Sequence, residues 1–226
     1  MLYTKEQVKA NIRNRQGKRV FFIGKDDCLT NEAKDYLIAQ RIEILSATEA
    51  KPQKYRLLNG GYVEEKPEHM THLNGDVLVP KNHPRIRFRG AVDHLEAMVL
   101  LCGQKIPELK KELGEILSLA RRLIRCDVLE EPVGEFTLCG LTQQEQRKHS
   151  HFPQEYYGIP HFMPDFSDKQ SVLELNLVRC AVRTAELAAM DAFSDREGNP
   201  TRGDILQALN RMSSMLYILM IREKTK

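Results

Sequence analysis

With 226 residues, 42% of them apolar and 29% charged, the chain is long enough for one sizeable core or two small ones, which excludes an intrinsically disordered tail. Thirty-four Lys and Arg against 31 Asp and Glu leave a formal charge of only +3, too balanced for a nucleic-acid footprint but compatible with a small polyanionic ligand. Five scattered cysteines, an odd number, do not form a secreted disulfide framework, and the longest apolar run, Met215 to Ile221, is too short to cross a bilayer, so a cytoplasmic protein without membrane or nucleic-acid partners is expected.

Thr4 and Gln7 have capping-box spacing and Tyr3 and Val8 are placed as a hydrophobic staple, which predicts a helix over residues 5 to about 15. The apolar run 19–23 reads as a buried strand, and 41–45 alternates as a second one. Between them Thr30 caps a predicted helix to about residue 40, with Ala33, Leu37 and Ile38 on one face and Glu32 in the dipole-favoured first turn. Residues 1–50 thus read as a small N-terminal α/β domain. The polar stretch 51–70, with Pro52 and Gly60-Gly61, reads as a linker. After Pro84 the strand signals vanish, and helical periodicity predicts helices over 85–101, 107–125, 143–149, 171–193 and 203–222. The expected fold class is mainly α, a helical bundle preceded by the α/β unit.

On the fourth of these helices Arg179, Arg183 and Glu186 follow an i, i+4, i+7 pattern and share one face, while Leu175, Val178, Val182 and Leu187 cover much of the rest. Two readings stay open. One is a surface ion pair worth under about 1 kcal/mol. The other is an anion-binding stripe, because the planar guanidinium fork donates parallel charge-assisted hydrogen bonds to phosphate. On the last helix Asn210, Ser214 and Tyr217 form a polar line with Arg211 at its edge, as a solvated face also would. Asp93, near the start of the first bundle helix, fits a dipole-complementing carboxylate. His69 and His72 form HxxH and His149 and His151 form HxH, but neither has a second ligand pair, and no CxxC half-site occurs, so no dedicated metal site is expected. P-loop, GxGxxG and GxSxG strings are absent.

Longer strings say more. Thr71-His72-Leu73, Pro84-Arg85, Phe88-Arg89-Gly90-Ala91-Val92-Asp93, Arg125-Cys126-Asp127, Leu175-Asn176-Leu177-Val178-Arg179 and Asp204 through Ser214 keep their order along the chain. From Thr71 to the C-terminus the sequence resembles the ATP:cob(I)alamin adenosyltransferases, most closely the ethanolamine-utilisation branch, and the N-terminal unit looks like the extension of that branch. The resemblance implies a five-helix-bundle cobalamin adenosyltransferase domain over 71–226, a homo-oligomer with a trimer favoured, and a site at subunit interfaces. It implies ATP with Mg²⁺ as the nucleotide and cobalamin as the acceptor substrate.

By the same resemblance Arg183 engages the triphosphate, Asn210 and Arg211 the nucleotide, Arg179 pairs with Asp93 across a subunit boundary, and Glu186 helps hold the arginines or Mg²⁺. Phe162 falls where related enzymes carry an apolar wedge that displaces the lower axial ligand. Gly75 and Asp76 after Thr71, with Lys81 nearby, approximate the family's phosphate loop. Residues 46–70 contain no cysteine, so the transition-metal motif of some branch members is not expected. An adenosylcobalamin-dependent ammonia-lyase client and association with a bacterial microcompartment are implied. The competing reading is a non-catalytic corrinoid-binding or scaffold protein of such a microcompartment.

Overall fold

The computed structural model describes residues 1–15, 18–46 and 55–226 and divides into two compact units, Met1–Lys81 and Asn82–Lys226. Part of the expected linker, 51–54, lies outside the described residues.

In the first unit, strand β1 (Leu2–Tyr3) leads into helix α1 (Lys5–Ala10), whose Thr4 and Gln7 form the capping box. The helix is shorter than the sequence predicts. Asn11 ends it, and Arg13–Arg15 forms strand β2, antiparallel to β3 (Lys18–Ile23). A poor helix former at the cap and a sheet edge offering ladder hydrogen bonds together outweigh continued helical periodicity. Strand β4 (Cys28–Leu29) pairs in parallel with β1. Helix α2 (Asn31–Ala39) is capped by Thr30, whose side chain accepts from the Ala33 amide, and crosses to β5 (Glu43–Ser46), which runs parallel to β3. Val8, Phe21, Leu29, Ala33, Leu37 and Ile42 form the apolar core of this part.

Four further strands run through the stretch read as linker and past it. They are β6 (Tyr55–Leu57), β7 (Tyr62–Val63), β8 (Met70–Asn74) and β9 (Val77–Pro80), in the order β7-β6-β9-β8. The sheet crosses the boundary expected at residue 70, and the division between the units falls after Lys81 instead. The overlooked signal is Asn74-Gly75-Asp76 between Leu73 and Val77, where Asn74 pairs with Val77 and Gly75, at φ 53°, opens the two-residue hairpin turn.

The second unit is the expected helical bundle. Helix α3 (Pro84–Lys105) is followed by a tight turn at Pro107–Leu109 and by α4 (Lys110–Leu129). A small hairpin comes next, β10 (Thr137–Leu138) and β11 (Leu141–Thr142), where the sequence shows no strand signal. Helix α5 (Gln143–His151) has a full Thr142–Glu145 capping box, and the short α6 (Pro153–Tyr157) follows. Helices α7 (Gln170–Ala192) and α8 (Gly203–Thr225) close the bundle. Neighbours pack in the order α4, α3, α7, α8, α5, so α7 is central and is flanked by α3 and α8. Leu175, Val178 and Val182 of α7 are fully buried, each contributing about 1.5–3 kcal/mol over exposure.

One polar knot lies within this core. Asp127, in the last turn of α4, has no solvent exposure. Its Oδ1 accepts from Arg85 Nε at 2.7 Å and its Oδ2 from Arg89 Nε at 2.6 Å, while Arg85 Nη2 donates to the Asp127 backbone carbonyl at 2.7 Å. Beside it His83 caps α3, its Nδ1 accepting from the Arg85 amide at 3.2 Å. Burial, and then the charges of Arg85 and Arg89, push the His83 imidazole below its ordinary range, which keeps Nδ1 an acceptor. Asp127→Asn leaves two guanidinium groups facing a neutral amide and is expected to cost on the order of 3 kcal/mol. An unchanged urea-unfolding midpoint would show that the knot carries no net stability.

Candidate functional site

The i, i+4, i+7 stripe on α7 forms because the opposite side of the helix is taken by Leu175, Val178, Val182, Ala185 and Ala189, all buried. Arg179 donates through Nε and Nη2 to Asn176 Oδ1 at 3.2 and 3.1 Å, within its own helix. Asp93 on α3 is exposed, and among the described residues it forms no ion pair with Arg179 of the same chain. Arg183 is exposed, and Glu186 is half-buried.

The structure joins the stripe to α8. Asn210 Nδ2 donates to Glu186 Oε1 at 3.2 Å, and Arg211 Nη2 donates to Asn210 Oδ1. Glu186, Asn210 and Arg211 therefore form one hydrogen-bonded chain, with Arg183 a turn away on α7. Arg211 is only 8% exposed, and its Nε is buried without a hydrogen-bond partner. Burial, followed by the positive charge of Arg147 on α5, pushes the Arg211 guanidinium below its usual range, and Glu186 opposes this. A buried donor without an acceptor costs about 1–3 kcal/mol, which an anionic ligand would recover.

Thr71, Gly75, Asp76 and Lys81 belong to the first unit, where Thr71 lies in β8, Gly75 and Asp76 form the β8–β9 turn, and Lys81 follows β9. The His72 ring bonds to the Gly75 carbonyl at 3.1 Å, and Asp76 accepts from the Arg56 amide through its carbonyl at 3.0 Å, so the turn is pinned on both sides.

Phe162 packs on the bundle core, its ring 5.6 Å from that of Tyr217. The Phe162 amide donates to Tyr217 Oη at 3.1 Å, and the Lys224 ammonium sits 4.9 Å above the Phe162 ring. The side chains that stand in solvent here are Met163 and Phe166, 88% and 106% exposed. Asp168 pairs with the same Lys224, and Lys169 Nζ donates to the Glu223 carbonyl at 3.3 Å. Next to this segment His149 stacks on Tyr156 at 3.9 Å and bonds Tyr157 Oη at 2.8 Å.

A cleft of about 600 Å³, lined by Arg85, Glu131, Phe193, Arg202 and Asp204 among others, holds none of the sequence-predicted residues. Its charges serve the fold. Arg202 binds Asp204 through Nε and Nη2, both at 2.9 Å, and Asp204 accepts from the Val133 amide at 2.9 Å. Among the described residues no three His, Cys, Asp or Glu side chains cluster as a metal site, and no helix is long and apolar enough to cross a membrane. Burial pushes the thiols of Cys102 and Cys139 up to about 11 and about 12, so both are protonated at neutral pH.

The cobalamin adenosyltransferase family model matches residues 61–223. The corrinoid adenosyltransferases EutT of Escherichia coli strain K12 and of Salmonella typhimurium strain LT2 are each 34% identical over 188 residues, covering 83% of this chain and 70% of theirs. No solved structure matches the chain at a comparable significance.

The Arg202 side chain, against the cost of burial, holds Asp204 down to about 2. A folded-state value below the unfolded one supplies stability above pH about 4 that is lost as pH falls through about 2. Asp204→Asn is therefore expected to cost on the order of 1–2 kcal/mol near neutrality and almost nothing at the acid end. Denaturation midpoints that fall equally across that range would count against this linkage.

Proposed function

Because the chain belongs to the cobalamin adenosyltransferase family, we propose that it transfers the 5′-deoxyadenosyl group of ATP to cob(I)alamin, giving adenosylcobalamin and tripolyphosphate, in the service of ethanolamine utilisation. The observation that supports a site on this chain is the Glu186–Asn210–Arg211 hydrogen-bonded chain linking α7 to α8 beside Arg183. In the reaction the cobalt(I) electron pair forms the bond to C5′, the C5′–O bond breaks, and its electron pair leaves on tripolyphosphate. Cob(I)alamin is already a strong nucleophile, so the chain's task is alignment and screening of the leaving charge.

In this reading Arg183 meets the triphosphate of MgATP, Asn210 and Arg211 engage the nucleotide, and Glu186 fixes the Asn210 amide and would help hold the Mg²⁺ that accompanies ATP. By the family resemblance, Thr71, Gly75, Asp76 and Lys81 of the first unit are further candidate phosphate-binding residues. Phe162, held by Tyr217 and Lys224, offers an apolar face to the corrinoid. Arg179 reaches Asp93 of a neighbouring copy, which fits a homo-oligomer, with a trimer favoured, and an exposed Asp93. An adenosylcobalamin-dependent ammonia-lyase client and a microcompartment setting belong to the same proposal.

Anaerobic incubation with MgATP and chemically reduced cobalamin is expected to give the light-sensitive product in excess over protein, with equimolar tripolyphosphate. Tight binding of either substrate without product would leave a corrinoid-binding protein instead. Arg183→Ala is expected to cost about 1.5–3 kcal/mol in kcat/KM for ATP with the melting temperature unchanged. A zinc- or iron-selective chelator is expected to leave turnover intact while Mg²⁺ is supplied. Loss restored only by a transition metal would reveal a ligand set that the donor residues do not suggest.

A further inference from the structure

Helix α5 has no role in the site as read from the sequence, yet it delivers a cation to it. Gln207 Nε2 on α8 donates to Gln143 Oε1 at the start of α5, at 2.7 Å. At the other end His161 bridges the helices, its Nε2 bonding the His151 carbonyl at 3.1 Å and its Nδ1 the Tyr217 hydroxyl at 3.3 Å. Residues 143 and 151 thus lie beside 207 and 217, and the two helices run parallel. Arg147 and Arg211 each follow the tied glutamines by four residues, one helical turn, so they share the same level of the interface. Gln146, fully buried and donating to the Leu141 carbonyl at 2.8 Å, fixes the rotation of α5.

Two guanidinium groups at one level repel each other, and the carboxylate that opposes this at Arg211 is Glu186. Arg147 is exposed and forms no ion pair among the described residues, while Arg211 is more than nine-tenths buried with an unpartnered Nε. A buried donor lacking an acceptor, beside a second cation without a carboxylate, is the arrangement a bound phosphate completes.

We propose that Arg147 and Arg211 form a phosphate subsite between α5 and α8, with Glu186 and Asn210 at its margin. The proposal rests on the adenosyl-transfer reading, in which both substrates carry phosphate: the triphosphate of ATP and the single phosphodiester of cobalamin. Arg147 is then a substrate-binding residue, and its exposed position allows substitution without disturbing the core.

The test uses the full chain with Arg147→Ala and Arg147→Lys, each first checked for an unchanged melting temperature. Inorganic tripolyphosphate is titrated by calorimetry, and KM is measured for MgATP, for cobalamin and for cobinamide, which lacks the phosphodiester. If the subsite holds the triphosphate, Arg147→Ala weakens tripolyphosphate binding and raises the MgATP KM by about tenfold, with partial recovery in Arg147→Lys. If it holds the corrinoid phosphodiester, only the cobalamin KM rises, toward the value for cobinamide, and tripolyphosphate binding is unchanged. Both results support the subsite and name its source. Wild-type values for all four in a folded Arg147→Ala variant overturn it. Tripolyphosphate binding that depends on Arg147 in a wild-type chain without turnover would instead overturn the adenosyl-transfer reading and keep the subsite.

Discussion

A fully buried carboxylate is tolerated only where cations are brought to it, and Asp127 brings two. Arg85 and Arg89 leave the first turns of α3 to reach the last turn of α4, so one side chain ties the start of one helix to the end of the next. Such pairing is costly to break because the orphaned charges stay in low dielectric. With those ends fixed, α3 presents Phe88, Val92, Leu95 and Val99 to the core as a continuous buried row, and α7 packs along it. The register of α7 against α8, and with it the meeting of Glu186 and Asn210, rests on that frame.

The proposed site is a polar seam in an apolar bundle. Within the seam Asn210 acts as a relay, donating to a carboxylate and accepting from a guanidinium. An amide suits this position because it carries both donor and acceptor and so can serve both neighbours at once. The cleft at the Arg202–Asp204 end of the bundle is charged too, yet its Arg202 and Asp204 are already spent on each other and on backbone groups. Internal pairing stabilises a fold, whereas an unpaired buried donor can still be completed by an external acceptor.

The long helices were legible because their apolar period is uninterrupted: the ends predicted for α7 and α8 differ from the observed ones by no more than three residues. The stripe of Arg179, Arg183 and Glu186 was legible for the same reason, since helical spacing alone puts them on one face. Arg147 was not, because its significance depends on α5 running parallel to α8, a relation between segments far apart in the chain. The strands from Tyr55 onward were missed because each is only two to five residues long, too short for periodicity to show, although the Asn74-Gly75 turn and the apolar run Val77-Leu78-Val79 are signals. The early end of α1 is a case of sheet pairing overriding a helical pattern, information that is tertiary in origin.

The segment carrying Met163 and Phe166 is clasped by a single lysine. Lys224 lies over the Phe162 ring and also pairs with Asp168, while Tyr217 holds the Phe162 backbone. Only five residues separate the two anchored positions, so the chain between them explores few conformations before anything binds. Two exposed apolar side chains are thereby presented with most of their ordering entropy already spent during folding. A large flat molecule settling on them gains contact area with little loss of chain freedom, which turns a modest apolar surface into an effective landing place.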